Sequence, residues 1–429
     1  MINSLYNTLL TLGLVLSSPF FALKILTTPR YRRGLSQRLG ICYKIVCKEL
    51  GDKKPLWIHA ASVGEVLVSL PIIKGIKQAN PQLPILVSTM TASGNDMAKK
   101  RASGVKAITF FPLDHPWAAR RTISLVNPRA FLVAETEIWP NFLMELGRKE
   151  IPIILFNGRI STRSLQWYKR FRFFIASPLA AISAFCMQSG LDAQRIIEMG
   201  ADPERVTVTG NIKFDQPPPE ITPQEKEALL QTLGLHVGQS ILIAGSTHRG
   251  EDECMLKVLR RLSPEYPDLV LILAPRHLER VREVETLLKS EKIPWKRKSQ
   301  LQAKGQRGGA HVILLDTLGE LSKIYSIGTL VFVGGSLVRV GGHNVLEPLF
   351  FAKPVLFGPF MDHFREISVE VLTRGAGFQV RDTEEMVLRA KTLLENSSLS
   401  TNMGKRGFEI IRDNRGATRK TLETIFRFL

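Results

Sequence analysis

The turn A-S-V-G-E, Ala61 to Glu65, carries a carboxylate at a position suited to proton transfer. The preceding residues L-W-I-H-A are typical of a buried strand, and the following residues V-L-V-S-L-P-I-I-K-G-I of a helix. Glu65 is therefore expected in the first helical residues, where the helix dipole stabilises a carboxylate by about 0.3–1 kcal/mol. At the carboxyl edge of a parallel sheet the same group can act as a general base, with Gly64 permitting close backbone approach. The residues alone leave both interpretations open.

Polar residues also follow four other predicted strands in the first half of the chain. These segments are S-T-M-T-A-S-G (Ser88 to Gly94), F-P-L-D-H-P (Phe111 to Pro116), A-E-T-E-I-W-P-N (Ala134 to Asn141) and N-G-R-I-S (Asn157 to Ser161). Each alone is typical of turns and helix caps, whereas four together at strand ends favour a ligand-binding cleft. Glu135 and Glu137 stand two residues apart on a predicted strand. That spacing points them to opposite faces and disfavours a carboxylate pair sharing one proton.

Two segments in the second half of the chain are suited to binding anions. The segment I-A-G-S-T-H-R-G-E-D-E, Ile243 to Glu253, combines a strand, a turn of small residues and a helix start. Free N–H groups at a helix start bind anions, so we expect a phosphate at Gly245, Ser246 and Thr247. The segment L-A-P-R-H leaves Arg276 at another strand end, where its guanidinium can pair with phosphate or carboxylate or remain solvated.

The segment F-V-G-G-S-L-V-R-V-G-G-H-N-V-L-E-P, Phe332 to Pro348, has the composition of a nucleotide-binding loop. Its two glycine pairs allow close backbone approach to a ligand, and N-V-L-E is predicted to start a helix. A phosphate at this helix start and Glu347 on ribose hydroxyls would hold a nucleotide. His343 and Glu347 share one helical face, but a metal site needs a third ligand, so no metal is predicted.

The order of apolar and amphipathic segments predicts an α/β protein. From Pro55 onward short apolar runs alternate with helix-like stretches, and only the Pro-rich segment Q-P-P-P-E-I-T-P-Q interrupts the alternation. We therefore predict two Rossmann-like domains facing a central cleft, preceded by a membrane-anchor helix. The predicted boundaries are 1–28 for the anchor, 29–215 for the first domain, 216–225 for the linker and 226–429 for the second domain with a C-terminal helix.

The composition favours anionic partners in a reducing compartment. The chain has 429 residues, with 58 Lys and Arg against 39 Asp and Glu, a formal net charge of +19. No nucleic-acid-binding motif is present, so a phosphorylated lipid or an anionic membrane surface fits this charge better than nucleic acid does. The four cysteines lack metal-binding spacing and are expected to be unpaired thiols: Cys42, Cys47, Cys186 and Cys254.

The apolar stretch between Asn7 and Lys24 is expected to anchor the chain in a membrane. Its length is at the short end of the roughly 17–25 residues that cross a bilayer, and Pro19 is expected to interrupt it, so crossing and embedding both stay open. No basic residue precedes it and no cleavage site is evident, which argues against a signal peptide. The basic residues after it predict a cytoplasmic location for the rest of the chain: Lys24, Arg30, Arg32, Arg33 and Arg38.

Seven motifs in this order resemble the Kdo (3-deoxy-D-manno-octulosonic acid) transferases of Gram-negative bacteria. They are A-S-V-G-E, A-E-T-E-x-W-P-N, N-G-R-I-S, G-N-I-K-F-D, A-G-S-T-H, A-P-R-H and G-G-H-N-x-L-E-P. Each motif is weak alone, but the ordered set is specific and extends from the anchor to the C-terminal helix.

The resemblance implies a GT-B glycosyltransferase of the inner membrane that transfers Kdo from CMP-Kdo to the lipid A precursor, lipid IVA, in lipopolysaccharide biosynthesis. It makes Glu65 the expected proton acceptor in an inverting transfer, without a cofactor or a catalytic metal. The residues expected to bind CMP by motif match are Pro275, Arg276, Leu318, Gly319, Glu320, Asn344, Val345, Leu346 and Glu347. Basic residues of the first domain are expected to contact lipid phosphates: Arg163, Lys169, Arg170 and Arg172.

Two other classes of function remain as alternatives at this stage. One is a related enzyme of the same fold that uses a UDP-sugar, either a lipid-linked N-acetylglucosaminyl transferase or a nucleotide-sugar epimerase. The other is a non-catalytic, membrane-tethered binding protein for acidic ligands. Competition by CMP against UDP separates the enzymes, and an unaffected Glu65→Gln variant would indicate the binding protein.

Overall fold

The computed structural model divides into two compact units, Met1–Gln216 with Asn414–Leu429, and Pro217–Asp413. It describes residues 2–28, 32–41, 43–51, 53–170, 172–216, 220–301 and 308–429. Within these ranges the side chains of residues 2–4, 45, 162, 163, 167, 169 and 172 are not described.

The first unit is built on a seven-stranded parallel sheet with the strand order β3-β2-β1-β4-β5-β6-β7. Its strands are β1 (Leu56–His59), β2 (Ile85–Thr89), β3 (Ala107–Phe110), β4 (Ala130–Ala134), β5 (Ile153–Gly158), β6 (Ala184–Met187) and β7 (Val206–Val208). The central strands β1 and β4 are buried along their full length, as expected for a parallel sheet covered by helices on both faces.

The helices of the first unit follow the predicted alternation with these strands. They are Ile2–Thr27, Leu35–Arg38, Tyr43–Leu50, Val63–Ala79, Ala92–Arg101, Pro116–Val126, Pro140–Arg148, Thr162–Arg170, Arg172–Ala180, Gly190–Glu198 and Ala417–Phe426. Several begin at polar N-caps, as in Thr91, whose hydroxyl accepts a 3.0 Å hydrogen bond from the N–H of Gly94.

The second unit has a seven-stranded parallel sheet with the order β10-β11-β9-β8-β12-β13-β14. Its strands are β8 (Ile241–Thr247), β9 (Val270–Pro275), β10 (Trp295–Arg297), β11 (Val312–Leu314), β12 (Leu330–Val333), β13 (Val355–Phe357) and β14 (Gly377–Gln379). Its helices are Pro223–Thr232, Glu251–Leu262, Val281–Ser290, Leu321–Ile324, Leu346–Phe350, Arg365–Thr373, Thr383–Glu395 and Ser397–Asp413.

The C-terminal helix Ala417–Phe426 belongs to the first unit, so its assignment to the second domain was wrong. It packs on the helix Val63–Ala79, where a Cβ atom at Gly75 would lie 2.3 Å from Leu422. The carboxylate of Asp215 accepts the N–H groups of Gly416 and Thr418 at its start. The packing of the C-terminal helix on the first unit is a long-range contact, which local sequence patterns do not predict.

The N-terminal helix Ile2–Thr27 continues through Pro19, so the expected interruption was wrong. Its segment Leu5–Thr27 is 23 residues long with a mean hydropathy of 1.9, enough by length and composition to cross a membrane. Near its start, the hydroxyl of Tyr6 donates a 3.0 Å hydrogen bond to Asp114. After its end, the Arg32 guanidinium donates to the carbonyls of Ile25 and Leu26 and so caps the helix.

Candidate functional site

Glu65 lies in the first turn of the helix that follows β1, as predicted. Its side chain is only 7% exposed. One carboxylate oxygen accepts the N–H of Ala61 at 2.7 Å, and the other accepts the hydroxyl of Ser62 at 2.8 Å. Burial, followed by the charge of Glu137, raises the pKa of Glu65 from 4.5 to about 7, against the lowering effect of the Ser62 hydrogen bond. A buried carboxyl group with this pKa is suited to accept a proton near neutral pH.

Glu135 and Glu137 lie beyond the end of β4, so their predicted positions on a strand were wrong. The strand ends at Ala134, and Glu135 has a φ of 55°, a left-handed conformation that ends strand geometry. Both carboxylates raise the pKa of Glu65, and burial together with the charge of Glu135 raises the pKa of Glu137. The three glutamates therefore form one electrostatically coupled group, which the strand periodicity had argued against.

The three glutamates lie at the point where the strand order of the first sheet reverses. From β1 the chain continues to β2 on one side of the sheet, whereas β4 pairs with β1 on the other side. Ligands of open parallel sheets bind outside the carboxyl ends of the strands at such a position. Glu65 follows β1, and Glu135 and Glu137 follow β4, so all three carboxylates are placed at this edge.

Lys213 is a member of the same electrostatic group that the sequence analysis left without a role. Burial lowers its pKa, while the charges of Glu135 and Glu65 raise it and that of Arg159 lowers it further. It lies in a short 3-10 turn after β7, Ile212–Asp215, where its N–H donates to the Asn211 side chain at 3.0 Å. The rule that identified the other segments, polar residues after a strand end, also applies to G-N-I-K-F-D and could have found it.

In the second unit the strand order reverses at β8, which has β9 on one side and β12 on the other, and the turns after these strands lie at the same edge of the sheet. Gly245, Ser246 and Thr247 are the last residues of β8, and the next helix begins only at Glu251. The carboxylate of Glu251 accepts the N–H groups of His248 and, from the turn after β12, of residues 335–337, at 2.7 to 2.9 Å. Gly245, Ser246 and Thr247 therefore lie on a strand and not at a helix start, which was the position predicted for them. Phosphate binding by these three residues stays a prediction.

Arg276 and Glu347 are brought together from different segments. Pro275 is the last residue of β9, and the N–H of Arg276 donates to the carbonyl of Thr247 at 3.0 Å. Burial raises the pKa of Glu347, while hydrogen bonds from Asn344 and Ser322 and the charge of Arg276 lower it. The Arg276 charge also acts on the buried Tyr325.

The remaining predicted CMP residues differ in what they expose. Leu318 is 80% exposed and Gly319 has a φ of 82°, so this turn presents its backbone to solvent. The Glu320 carboxylate accepts hydrogen bonds from Lys298 at 2.6 Å and from Thr317. Burial alone would raise the pKa of Glu320, but these hydrogen bonds lower it below its ordinary value. Val345 and Leu346 are fully buried and can reach a ligand only through their backbone.

The helix after this loop begins at Leu346, two residues later than predicted, and spans five residues. His343 and Glu347 are therefore not on one helical face. Within the residues that the structure describes, no group of three or more His, Cys, Asp or Glu side chains could hold a metal ion.

Sequence comparisons place this arrangement among known proteins. The sequence model described as 3-deoxy-D-manno-octulosonic-acid transferase (kdotransferase) matches residues 33–216. The 3-deoxy-D-manno-octulosonic acid transferase of Haemophilus influenzae is 36% identical over 425 residues, covering 99% of this chain and 98% of that protein. The chain belongs to the Kdo transferase family. The protein of the same name from Rickettsia conorii is 30% identical, covering 91% of this chain and 83% of its own length.

A Kdo transferase is a glycosyltransferase, so membership of this family decides against the epimerase, the N-acetylglucosaminyl transferase and the non-catalytic binding protein. A glycosyltransferase from Rickettsia africae ESF-5 matches 88% of this chain and 99% of its own, with a TM-score of 0.60 and 13% identity. This likeness shows the fold alone and agrees with the predicted GT-B class.

The predicted lipid-contacting side chains of Arg163, Lys169 and Arg172 lie outside the described residues, as do Arg30 and Cys42.

Proposed function

We propose that this Kdo transferase moves Kdo from CMP-Kdo to the lipid A precursor, lipid IVA, with inversion of configuration and Glu65 as the general base. The observation that carries the proposal is the buried Glu65 carboxyl, which is held by two hydrogen bonds at a strand-end edge and has a pKa of about 7. A general base works best when its pKa lies near the operating pH.

In the proposed reaction the acceptor hydroxyl loses its proton to Glu65 as its oxygen attacks the anomeric carbon of Kdo. The bond between that carbon and the phosphate oxygen breaks, and CMP leaves with the electron pair. A single displacement of this kind inverts the anomeric configuration. Lys213 is suited to stabilise negative charge developing near Glu65, because it couples electrostatically to Glu65 and Glu135.

The donor is proposed to bind in the second unit. Arg276, an exposed guanidinium at the end of β9, is suited to the CMP phosphate, and Glu347 to the ribose hydroxyls. The turn Leu318–Glu320 and the backbone of residues 344–346 would complete the nucleotide contacts. We expect no catalytic metal, since a guanidinium can offset the charge of the leaving phosphate.

The N-terminal helix is proposed to hold the enzyme at the cytoplasmic face of the inner membrane. Its outward side chains are exposed, for example Leu16 at 80% and Leu26 at 71%. Arg32 and Arg33 follow it, and Arg33 forms a 2.5 Å salt bridge with Asp96. Basic residues just after an apolar helix favour the cytoplasmic side and attract anionic lipid.

The proposal is tested by mixing the full chain in detergent with purified lipid IVA and CMP-Kdo regenerated in the assay, and following product mass. Glu65→Gln keeps the size of the side chain and should lower the rate by at least about 100-fold, the usual contribution of a general base. Glu145→Gln, which alters a carboxylate salt-bridged to Arg148, is the matched control and should retain full activity.

The outcomes separate the parts of the proposal. The masses formed by the wild type give the number of Kdo residues added to each acceptor. A folded Glu65→Gln variant with wild-type rate would contradict the base assignment. A wild type that transfers Kdo to another acceptor but not to lipid IVA would contradict the acceptor.

A further inference from the structure

Two histidines at the edge of the second sheet form a direct ring-to-ring hydrogen bond. The Nε2 atoms of His248 and His343 lie 2.9 Å apart, and the rings are nearly parallel, with centroids 5.2 Å apart. His248 follows β8, and His343 lies in the loop after β12. The strand order of the sheet reverses between these two neighbouring strands. The pair therefore lies where ligands of such sheets bind.

Gly335 has a backbone that fits around this pair. It has a φ of 67°, and a Cβ atom there would lie 2.9 Å from His343 and 3.6 Å from His248. Any other residue at this position would be strained and would press on the rings. The absence of a side chain at Gly335 thus leaves room for the paired imidazoles.

The hydrogen bond fixes how many protons the pair can carry. A neutral imidazole has one N–H, so one Nε2 must donate and the other accept. The ring that donates from Nε2 then has an unprotonated Nδ1, while the accepting ring carries its proton on Nδ1. One further proton can add to the bare Nδ1 without breaking the Nε2 contact. A second would place two N–H groups against each other.

The surroundings of the pair are mainly cationic. His248 is influenced by His277, Arg280 and Arg276, and by one carboxylate, Asp252, which is itself paired with Arg280 at 2.6 Å.

His343 is influenced by Arg276, His363 and His277. Burial, followed by the charge of Arg276, lowers the pKa of His343 to about 3, and burial followed by His277 lowers that of His248. The pair is therefore neutral near neutral pH without ligand, and an anion beside Arg276 would offset the largest charge that opposes protonation of His343.

We infer that the His248–His343 pair takes up a proton when the anionic donor binds, which makes donor binding pH-dependent. This inference rests on the proposed binding of a cytidine nucleotide in the second unit. The protonated pair contributes an additional positive charge and an additional N–H donor only while phosphate is present. Release of the nucleotide returns the proton.

The experiment is isothermal titration calorimetry of the full chain with the 5′-methyl ester of CMP, whose phosphodiester does not titrate near neutral pH. Binding enthalpies measured at pH 6.3, below the ordinary pKa of an imidazole, in MES, PIPES and Bis-Tris are plotted against the ionisation enthalpies of the buffers, and the slope gives the protons taken up. We expect a positive slope of up to about one proton and a Kd that falls by up to about tenfold for each pH unit of acidification.

The variants assign the proton to the pair. His248→Gln/His343→Gln should bind more weakly with a slope near zero, whereas His236→Gln, a change on an exposed turn of the same unit, should keep the slope. His277→Gln and His363→Gln should also keep it. If the double variant fails to fold, the pH dependence of the wild-type Kd still decides, because a pH-independent Kd overturns the inference.

The failures of the two proposals are distinguishable. Binding of the ester without proton uptake, or uptake that persists in the double variant, would overturn the inference and leave the donor site intact. A wild type that does not bind the ester would contradict the proposed donor site and the inference together.

Discussion

The side chain of Asn157 accepts a 3.0 Å hydrogen bond at Oδ1 from the N–H of Ile212, which joins the end of β5 to the turn that carries Lys213. The carbonyl of Asn157 accepts a 2.9 Å bond from Gln188, whose side-chain oxygen in turn accepts a 2.9 Å bond from Asn211. Asn157 is fully buried. The position of Lys213, whose pKa is influenced by the charge of Glu65, therefore depends on an amide network and not on the strand ends alone.

Replacing Asn157 with glycine should lower the transfer rate without unfolding the protein. The φ of Asn157 is 53°, a conformation that glycine adopts without strain, so the change removes the hydrogen bond to Ile212 but keeps the backbone. Displacement of the Lys213 turn by about 1 Å would lower kcat by about 100-fold. Steady-state kinetics, with circular dichroism as the folding control, measure this. An unchanged kcat would show that the network does not position Lys213.

The acidic limb of the pH profile should report the coupled glutamates. Because Glu65 must be deprotonated to act, kcat at saturating substrates should fall about tenfold per pH unit below a pH of about 7. Burial is the main cause of the raised pKa, and the charge of Glu137 adds to it. Glu137→Gln should therefore move this limb to lower pH.

The control for this prediction is Glu145→Gln, which should leave the limb in place. Saturating donor is required, because proton uptake by the histidine pair would act on KM in the opposite direction. An identical limb in the wild type and in Glu137→Gln would contradict the coupling between Glu137 and Glu65.

Local patterns predicted the parts of the site that depend on a single turn. Glu65 was placed correctly because an apolar strand followed by a helix pattern fixes the residue at the helix start. The error at Glu135 has a local cause, one left-handed residue that ends β4 earlier than the apolar pattern suggests. The error in placing Gly245 to Thr247 at a helix start arose because β8 continues to Thr247 and the helix begins four residues later, at Glu251.

Contacts between distant residues could not be predicted from spacing. The imidazoles of His248 and His343 are 95 residues apart in the chain, and Asp215 is 201 residues from Gly416. Such pairs arise from strand order, which a single sequence does not report. The residue types predict only that a buried polar side chain needs a hydrogen-bond partner; they do not predict which residue that partner is.

Replacing Glu251 with glutamine should destabilise the second unit. Each of the two carboxylate oxygens of Glu251 accepts two backbone N–H groups. The NH2 group of a glutamine at this position would therefore face two donors in either orientation of the amide. Each buried donor left unsatisfied costs about 1–3 kcal/mol, so the loss for two donors is about 2–6 kcal/mol. Urea denaturation followed by tryptophan fluorescence measures the change. Glu253→Gln, which affects one bond to Gly250, is the matched control and should have little effect; equal stability of both variants would contradict the prediction.

Glu65→Gln should stabilise the first unit at alkaline pH while it abolishes transfer. The pKa of Glu65 is about 7 in the folded protein and 4.5 in a model compound, so the folded state binds more protons between these values. Stability therefore falls as the pH rises through this window, by about 3 kcal/mol in total, and is unaffected by this group below pH 4.5. Glutamine carries no charge, so the variant avoids this loss and should melt at a higher temperature than the wild type at pH 8. At pH 4.5 the two melting temperatures should be close. Thermal unfolding followed by circular dichroism at both pH values checks this. A wild type that is more stable than the variant at pH 8 would show that the Ser62 and Ala61 hydrogen bonds outweigh the cost of burying the charge.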